Sequence, residues 1–167
     1  MSGDQRVPGF AEPQLRHVAE QTFITEKRHA TIGEFAAVTG DSANRLMTIA
    51  RRHGVPAGNF VFIYHGEISE DSDGPVEFCL PVDPAAARRA SLTTRVEPAH
   101  HEWYLRLTRA QAEFPQILTA YDAVFQGAAE RGDHWAGPPR EVYLGHFPDA
   151  APDDEICDVA LPVHDPS

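Results

Sequence analysis

Glu141 stands two residues before Tyr143 in the apolar stretch PPREVYLGHF, residues 138–147, and this spacing is the chain's most promising chemical feature. Side chains alternate between the two faces of a strand, so Glu141 and Tyr143 share one face while Val142 and Leu144 take the other. If the first face meets water, Glu141 is an ordinary surface charge. If it lines a cavity, Glu141 is a candidate anchor for a cation.

The chemistry of such an anchor follows from its solvation. A carboxyl group in an apolar cleft loses hydration, which raises its pKa unless a cation or hydrogen bonds compensate. An ammonium or a delocalised dye cation would compensate, and aromatic walls would add cation–π contributions of roughly 0.5–2 kcal/mol each. Few directional polar contacts and many aromatic surfaces favour broad specificity.

Aromatic residues that could form these walls are spread along the chain: Phe62, Tyr64, Trp103, Tyr104, Phe114, Tyr121, Trp135 and Tyr143. Trp103 and Tyr104 are adjacent in a strand-like segment, so at most one of them faces a common cleft. Tyr121 lies on the apolar stripe of a helix, which favours a core position. Glu77 and Asp158 occupy matching strand positions and are candidate second carboxylates, although we expect solvation on the outer face.

Motifs for other kinds of chemistry are missing from the sequence. His100, His101 and Glu102 are consecutive, so neighbouring side chains point to opposite faces of a strand, and the other histidines lack zinc-site spacing. There is no glycine-rich phosphate loop, nucleophile elbow or Cys/His pairing. We therefore expect no metal and no cofactor.

Two segments of the chain, residues 56–84 and 135–166, share one plan. Each has Ala-Gly, a strand ending around Tyr-x-Gly, an acidic turn and a strand ending in Leu-Pro-Val. Alignment of the Ala-Gly pairs matches Ile63 with Val142, Tyr64 with Tyr143, Gly66 with Gly145, and Phe62 with Glu141. This pattern predicts an internal duplication in which only one copy carries the carboxylate.

The same elements precede each of these hairpins. Segments rich in β-branched and aromatic residues predict strands at 21–28 and 102–109. Apolar periodicity with a closing glycine predicts helices at about 42–53 and 114–131. Each half then reads strand, helix, strand, strand, which predicts an α+β fold with an antiparallel sheet and the helices on one side.

The predicted organisation is a single domain over residues 1–167. The first repeat covers about residues 15–83, a linker covers 84–99, and the second repeat covers about 100–164. Residues 1–13 lack periodicity and are expected to be frayed. A groove at the junction of two half-domains is a common position for a pocket.

Composition limits the partners of the chain. Its 14 basic and 25 acidic residues give a formal net charge of −11, which argues against binding a nucleic-acid backbone. An acidic field favours cationic small molecules, although solubility alone would also explain it. No apolar run predicts a membrane span or signal peptide. Cys79 and Cys157 lie in apolar runs, which indicates free thiols and a cytoplasmic setting.

The duplicated plan, together with AGPPREVYLGHF (136–147) and the closing ALPV (160–163), resembles the GyrI-like small-molecule-binding domain. That domain is the stand-alone relative of the effector-binding domains of multidrug-responsive transcription activators. The resemblance covers about residues 15–163. It implies two SHS2-type βαββ repeats in one curved antiparallel sheet, with two helices and a ligand cleft between the halves. It also implies that Glu141, with Tyr143 beside it, meets cationic aromatic ligands in that cleft.

Three functions are compatible with the resemblance. The first is a cytoplasmic protein that senses or sequesters cationic aromatic, drug-like compounds. The second is hydrolysis of cyclopropane-bearing alkylating compounds, in which Glu141 would orient or deprotonate water while Tyr143 or Tyr64 held the substrate oxygen. The third is a protein-interaction role such as gyrase inhibition, through the acidic hairpin tips at 67–74 and 148–155, which solvated turns would also explain.

Overall fold

A computed structural model of the protein describes residues 9–146 and 148–165. The remaining positions, among them residues 1–8 of the stretch expected to be frayed and Phe147, lie outside the described residues. In chain order the elements are β1 (Gln14–Val18), β2 (Gln21–Ala30), α1 (Phe35–Arg52), β3 (Val61–Tyr64), β4 (Gly74–Pro81), α2 (Pro84–Arg89), β5 (Arg95–Glu97), β6 (His100–Thr108), α3 (Arg109–Ala112), α4 (Gln116–Glu130), β7 (Arg140–Tyr143) and β8 (Glu155–Val163). The predicted α+β class is confirmed.

The chain divides into two compact units, with boundaries after Val18 and after Ala99. The first unit, residues 19–99, has antiparallel strands in the order β3-β4-β2-β5. The second unit consists of the described residues up to Val18 and from His100 onward, and its antiparallel order is β1-β6-β8-β7. In the described part of the chain, no helix is long and apolar enough to cross a membrane.

The two short outer strands were not predicted from the sequence. β5 lies in the segment expected to be a linker, yet it pairs with β2 of the first unit. β1 precedes β2 along the chain but pairs with β6 of the second unit, so residues 14–18 do not belong with the first repeat. Residues 9–13 are also anchored, because Phe10 packs against the core of the second unit and Pro13 lies against Gly127.

The helices follow the prediction at their ends better than at their starts. Positive-φ Gly54 and Gly132 follow α1 and α4, as a glycine after a helix usually does. However, α1 begins at Phe35, about two turns before the predicted start near Ser42. Ser42 is buried rather than capping the helix, and the ring of Phe35 instead packs near Phe78, at 6.5 Å between centroids.

The internal duplication is confirmed by the register of the sheets. Phe62 pairs with Phe78 in the first unit, and its match Glu141 pairs with Val159 in the second. The helices repeat as well, because their buried stripes have the same spacing: Ser42, Leu46 and Ala50 in α1, and Ala120, Val124 and Ala128 in α4. The residue that follows the first member of each stripe is Ala43 in α1 and Tyr121 in α4.

The core of the second unit lies between α4 and one face of its sheet. α4 packs on β6 and β8, which contribute the buried residues Trp103, Leu105, Leu107, Cys157, Val159, Leu161 and Val163. Glu141 and Tyr143 pair with Val159 and Cys157, and directly paired residues point to the same side of a sheet. The side chains of Glu141 and Tyr143 therefore point toward α4.

Candidate functional site

The carboxylate of Glu141 is buried on the helix-facing side of β7. The residue is only 5% exposed, so the alternative in which it is an ordinary surface charge is wrong. An ionised carboxylate at such a position needs hydrogen-bond donors or a cation, because burial removes its hydration.

Two tyrosine hydroxyls hold this carboxylate. The Tyr121 hydroxyl donates to Oε2 of Glu141 at 2.7 Å, and the Tyr143 hydroxyl donates to Oε1 at 2.9 Å. Tyr121 comes from α4 and Tyr143 from β7, so the carboxylate is fixed from the helix and from its own strand. We refer to Tyr121, Glu141 and Tyr143 as the carboxylate triad.

The protonation state of both tyrosines is set by their surroundings. Burial, followed by the negative charge of Glu141, raises the pKa of Tyr121 and of Tyr143 well above the ordinary value of 10. Both phenols therefore stay protonated and remain hydrogen-bond donors at neutral pH. Burial likewise raises the pKa of the Cys157 thiol, which excludes it as a thiolate nucleophile near the triad.

Further aromatic side chains lie beyond the triad along one side of α4. Phe125 lies one helical turn after Tyr121, and its ring stacks on that of Trp135 with 4.5 Å between centroids and 25° between planes. Trp135 is 56% exposed, and Leu118 on the same helix is 48% exposed. The residues near this side of α4 thus range from the buried carboxylate to exposed apolar side chains.

The other wall residues predicted in the second unit lie in different surroundings. Trp103 is a core residue on the helix-facing side, and its indole Nε1 donates to Asp133 at 2.6 Å. Tyr104 lies on the opposite face, as strand alternation predicts, with the Arg16 guanidinium 3.9 Å from its ring centroid. Phe114 is largely exposed between α3 and α4. Of these three, only Trp103 shares the side of the sheet that carries Glu141.

The first unit holds the remaining predicted residues. Phe62 is buried, and its ring meets that of Phe78 edge to face at 4.9 Å between centroids. Tyr64 is half-buried, with its ring 6.1 Å from that of Phe35. Because Ala43 replaces Tyr121 and Phe62 replaces Glu141, the first unit reproduces only the strand tyrosine of the triad.

The expectation that Glu77 and Asp158 are solvated on an outer face is wrong. Both are buried, at 2% and 0% exposure, because arginines from the outer strands reach them. Arg95 of β5 donates to Glu77 at 2.8 Å, and Arg16 of β1 donates to Asp158 at 2.7 Å. These carboxylates therefore have positive partners, which compensate for their burial.

The consecutive residues His100, His101 and Glu102 divide between the two faces as predicted. His100 Nε2 lies 2.8 Å from Glu102 Oε1, while His101 points to the other side and its Nδ1 lies 2.8 Å from Asp165 Oδ1. Glu102 is also bound by Arg16. The histidines thus form side-chain pairs with carboxylates.

Sequence reasoning missed the role of Tyr121. Its place on the apolar stripe favoured a core position, and the structure does bury most of the ring. The available signal was its position at the edge of the stripe, one residue after Ala120, where a long side chain can reach past the helix to a neighbouring strand. Phe125 gave the same signal four residues later.

Comparison with known proteins gives structural matches only. No protein-family model and no curated protein matches the sequence. The C-terminal domain of EcmrR superposes with a TM-score of 0.75 at 15% identity, covering 95% of this chain and 99% of that one. In an EcmrR–DNA complex the TM-score is 0.76 at 16% identity, with 97% of this chain covered; this chain spans 60% of that longer one.

Two further structures have the same fold. SAV2435 bound to tetraphenylphosphonium has a TM-score of 0.58 at 15% identity, covering 92% of this chain and 94% of that one. A hydrolase from Listeria innocua has a TM-score of 0.62 at 13% identity, covering 91% of each chain. At such identities the likenesses establish the fold. They confirm that this chain has the GyrI-like fold that its motifs predicted.

Proposed function

We propose that the chain binds cationic aromatic, drug-like compounds at the carboxylate triad, as a cytoplasmic domain for multidrug sensing or sequestration. The observation that carries this proposal is the buried carboxylate of Glu141, held by the hydroxyls of Tyr121 and Tyr143. Both hydrogen-bond donors are neutral. They orient the carboxylate, and a cationic ligand would add charge compensation to it.

Three other carboxylates are buried among the residues that the structure describes. Glu77, Glu102 and Asp158 each bind an arginine side chain directly. Such pairing is the usual way to stabilise a buried charge. At Glu141 two phenols supply hydrogen bonds, and a cationic ligand would add electrostatic stabilisation to them.

The internal duplication supports a binding role as well. Phe62 and Ala43 occupy the equivalent positions in the first unit, so neither Glu141 nor Tyr121 is required by the repeated fold. A buried charge costs stability unless it is compensated. Its presence in one copy alone therefore points to a function rather than to the scaffold.

The chemistry of a known ligand of one similar structure also agrees. SAV2435 has been determined with tetraphenylphosphonium, an aromatic cation without a hydrogen-bond donor. Such a cation interacts with a carboxylate through charge and with aromatic rings through stacking and cation–π contacts. The further walls predicted from the sequence, Phe62, Tyr64, Tyr104 and Phe114, remain predictions.

The test is the affinity for tetraphenylphosphonium, measured by isothermal titration calorimetry on the wild type and on Glu141→Gln. We expect the variant to lose about tenfold in affinity, equivalent to about 1.4 kcal/mol. Triphenylphosphine oxide, a neutral aromatic probe, should bind both proteins within about twofold, a difference of roughly 0.4 kcal/mol.

The control is Glu155→Gln, which makes the same chemical change at an exposed residue of β8. It should leave the affinity for tetraphenylphosphonium unchanged at physiological salt, because an exposed charge is screened. Equal affinities of wild type and Glu141→Gln, with both proteins folded by circular dichroism, would refute the assignment of Glu141.

Hydrolysis is the second candidate, favoured by the likeness to a hydrolase from Listeria innocua. In that case the Glu141 carboxylate would orient or deprotonate a water molecule, and the hydroxyl of Tyr143 would hold the substrate oxygen. Incubation with a cyclopropane-bearing alkylating compound should then give the water adduct by mass spectrometry. A rate of adduct formation equal to that without protein would exclude this activity for that compound.

A further inference from the structure

We propose that the site in the second unit selects elongated, planar cations, with the positive end at Glu141 and the far ring stacked on Trp135. This inference rests on the proposed function and adds to it the shape of the ligand. It follows from the strand register, from the path of α4 and from the exposure of the residues at each end.

Trp135 and Glu141 both pair with strand β8, and both point to the same side of the sheet. Trp135 bridges to Val163 of β8, and Glu141 pairs with Val159. The two partners are four residues apart in one strand, a distance of about 13 Å at the usual rise. Both face α4, because Val159 and Val163 belong to the core beneath that helix.

The helix provides an aromatic side along the same span. Tyr121 reaches Glu141, and Phe125, about 6 Å further along the axis, reaches Trp135. Aromatic residues one helical turn apart on α4 thus contact both ends of this span. The carboxylate end supplies charge, and the indole end supplies an open stacking face.

The exposure of the two ends gives the ligand a direction. Glu141 is almost completely buried, whereas more than half of Trp135 and nearly half of Leu118 are accessible. A cation would therefore enter with its charge leading toward Glu141, and its trailing rings would cover the exposed indole. A compact cation such as tetraphenylphosphonium would use the charged end and gain less from the indole.

The repeated fold does not require an indole at this position. The bridge between Trp135 and Val163 corresponds in the first unit to a bridge between Ala57 and Val82. Phe125 likewise corresponds to Met47, because the two helices have the same stripe. The stacked pair is therefore an addition of the second unit, as the carboxylate triad is.

The experiment uses the full chain and a series of linear ring cations: N-methylpyridinium, N-methylquinolinium and N-methylbenzo[g]quinolinium. Affinities are measured by calorimetry for wild type, Trp135→Ala and Trp135→Phe. We expect wild-type affinity to rise with ring number. Trp135→Ala should lower the affinity for the three-ring cation about tenfold, in line with stacking of roughly 1–3 kcal/mol. Its affinity for tetraphenylphosphonium should fall by less than about threefold. Trp135→Phe should restore most of the loss.

Fluorescence gives an independent measurement, because the chain has two tryptophans and Trp103 is buried. The three-ring cation should quench the emission of the wild type. In Trp135→Phe that quenching should largely disappear, although calorimetry still detects binding.

The possible outcomes separate the two proposals. If Trp135→Ala loses affinity equally for the three-ring cation and for tetraphenylphosphonium, the shape selection is overturned. The same holds if the variant loses affinity for neither. A different outcome is that Glu141→Gln binds every cation with wild-type affinity while Trp135→Ala loses affinity for the three-ring cation alone. That outcome would refute the carboxylate anchor, and with it the proposed orientation of the ligand.

Discussion

At the scale of the residue, the informative feature is the way each buried carboxylate is compensated. Asp158 and Glu77 receive arginine side chains, whereas the carboxylate of Glu141 receives the hydroxyls of Tyr121 and Tyr143. An arginine neutralises a buried charge permanently. A phenol is neutral and fixes the position of the carboxylate through a hydrogen bond, and under the proposed function the carboxylate triad would bind a cation.

The tyrosines of the triad should make stability depend on pH in the alkaline range. The pKa of Tyr121 is raised in the folded state by burial and then by the charge of Glu141, while an unfolded tyrosine titrates near 10. The resulting stability is complete below about pH 10 and declines as pH rises further, because the unfolded state releases its proton first. Tyr121→Phe should show a weaker decline.

Urea unfolding between pH 8 and pH 11 measures this effect. The expected result is a free energy of unfolding that falls more steeply for the wild type than for Tyr121→Phe above about pH 10. Tyr104→Phe is the control, since Tyr104 is partly exposed on the other face of the sheet. Parallel curves for wild type and Tyr121→Phe would contradict a raised pKa at Tyr121.

At the scale of the element, the outer strands β1 and β5 make equivalent ion pairs in the two units, and we call each of these ion pairs a clamp. Each carries one arginine, Arg16 or Arg95, that crosses to a buried carboxylate on the neighbouring part of its own sheet. Arg16 also binds Glu102 at 2.7 Å. In both units a short outer strand is thus tied to its sheet by an ion pair with a buried carboxylate.

Arg16→Met should therefore be strongly destabilising. It removes an arginine that is shared by two buried carboxylates, and breaking buried pairs costs about 3–5 kcal/mol. The free energy of unfolding and hydrogen exchange over residues 14–18 report it. Arg106→Met is the matched control, because Arg106 also binds Asp158 at 2.9 Å but is 42% exposed, so its loss should cost about 1 kcal/mol or less. Equal costs for the two variants would contradict the clamp.

The sequence predicted the elements that have strong local signals. The hairpins, the strands that precede them and the closing glycines Gly54 and Gly132 all follow from patterns within about 20 residues of chain. β1 and β5 were missed because three to five residues without alternation give no local signal. The burial of Asp158 was missed because its partner Arg16 is distant in the chain.

The candidate site was predicted in part for the same reason. Glu141 and Tyr143 were found because they are two residues apart in one strand, and the pairing of β7 with β8 confirms their shared side. The hydrogen bond from Tyr121 was not predicted, because it joins a helix to a strand through tertiary packing. Sequence periodicity predicts which face of a helix or strand is buried. It does not predict which residue of a neighbouring element a side chain at the border of that face contacts.

At the scale of the whole molecule, the two units share one fold but carry different side chains at equivalent positions. The strand tyrosine is present twice, as Tyr64 and Tyr143, whereas the carboxylate and its helix donor occur once. The scaffold thus tolerates either an apolar or a charged side chain at the position shared by Phe62 and Glu141. In the unit that carries the carboxylate, the helix also supplies a hydroxyl donor to it.

This comparison predicts what happens when the missing parts are supplied to the first unit. Phe62→Glu should destabilise the protein by about 3–5 kcal/mol, because it replaces a ring packed on Phe78 with a buried charge. Adding Ala43→Tyr should recover at least about 1 kcal/mol, since a phenol at the position equivalent to Tyr121 can donate to the new carboxylate. Ala43→Phe in the same background has the ring without the hydroxyl and should recover less. Urea unfolding of the three variants measures the difference, and equal recovery by Tyr and Phe would mean that the helix hydroxyl is not what makes a carboxylate tolerable in this fold.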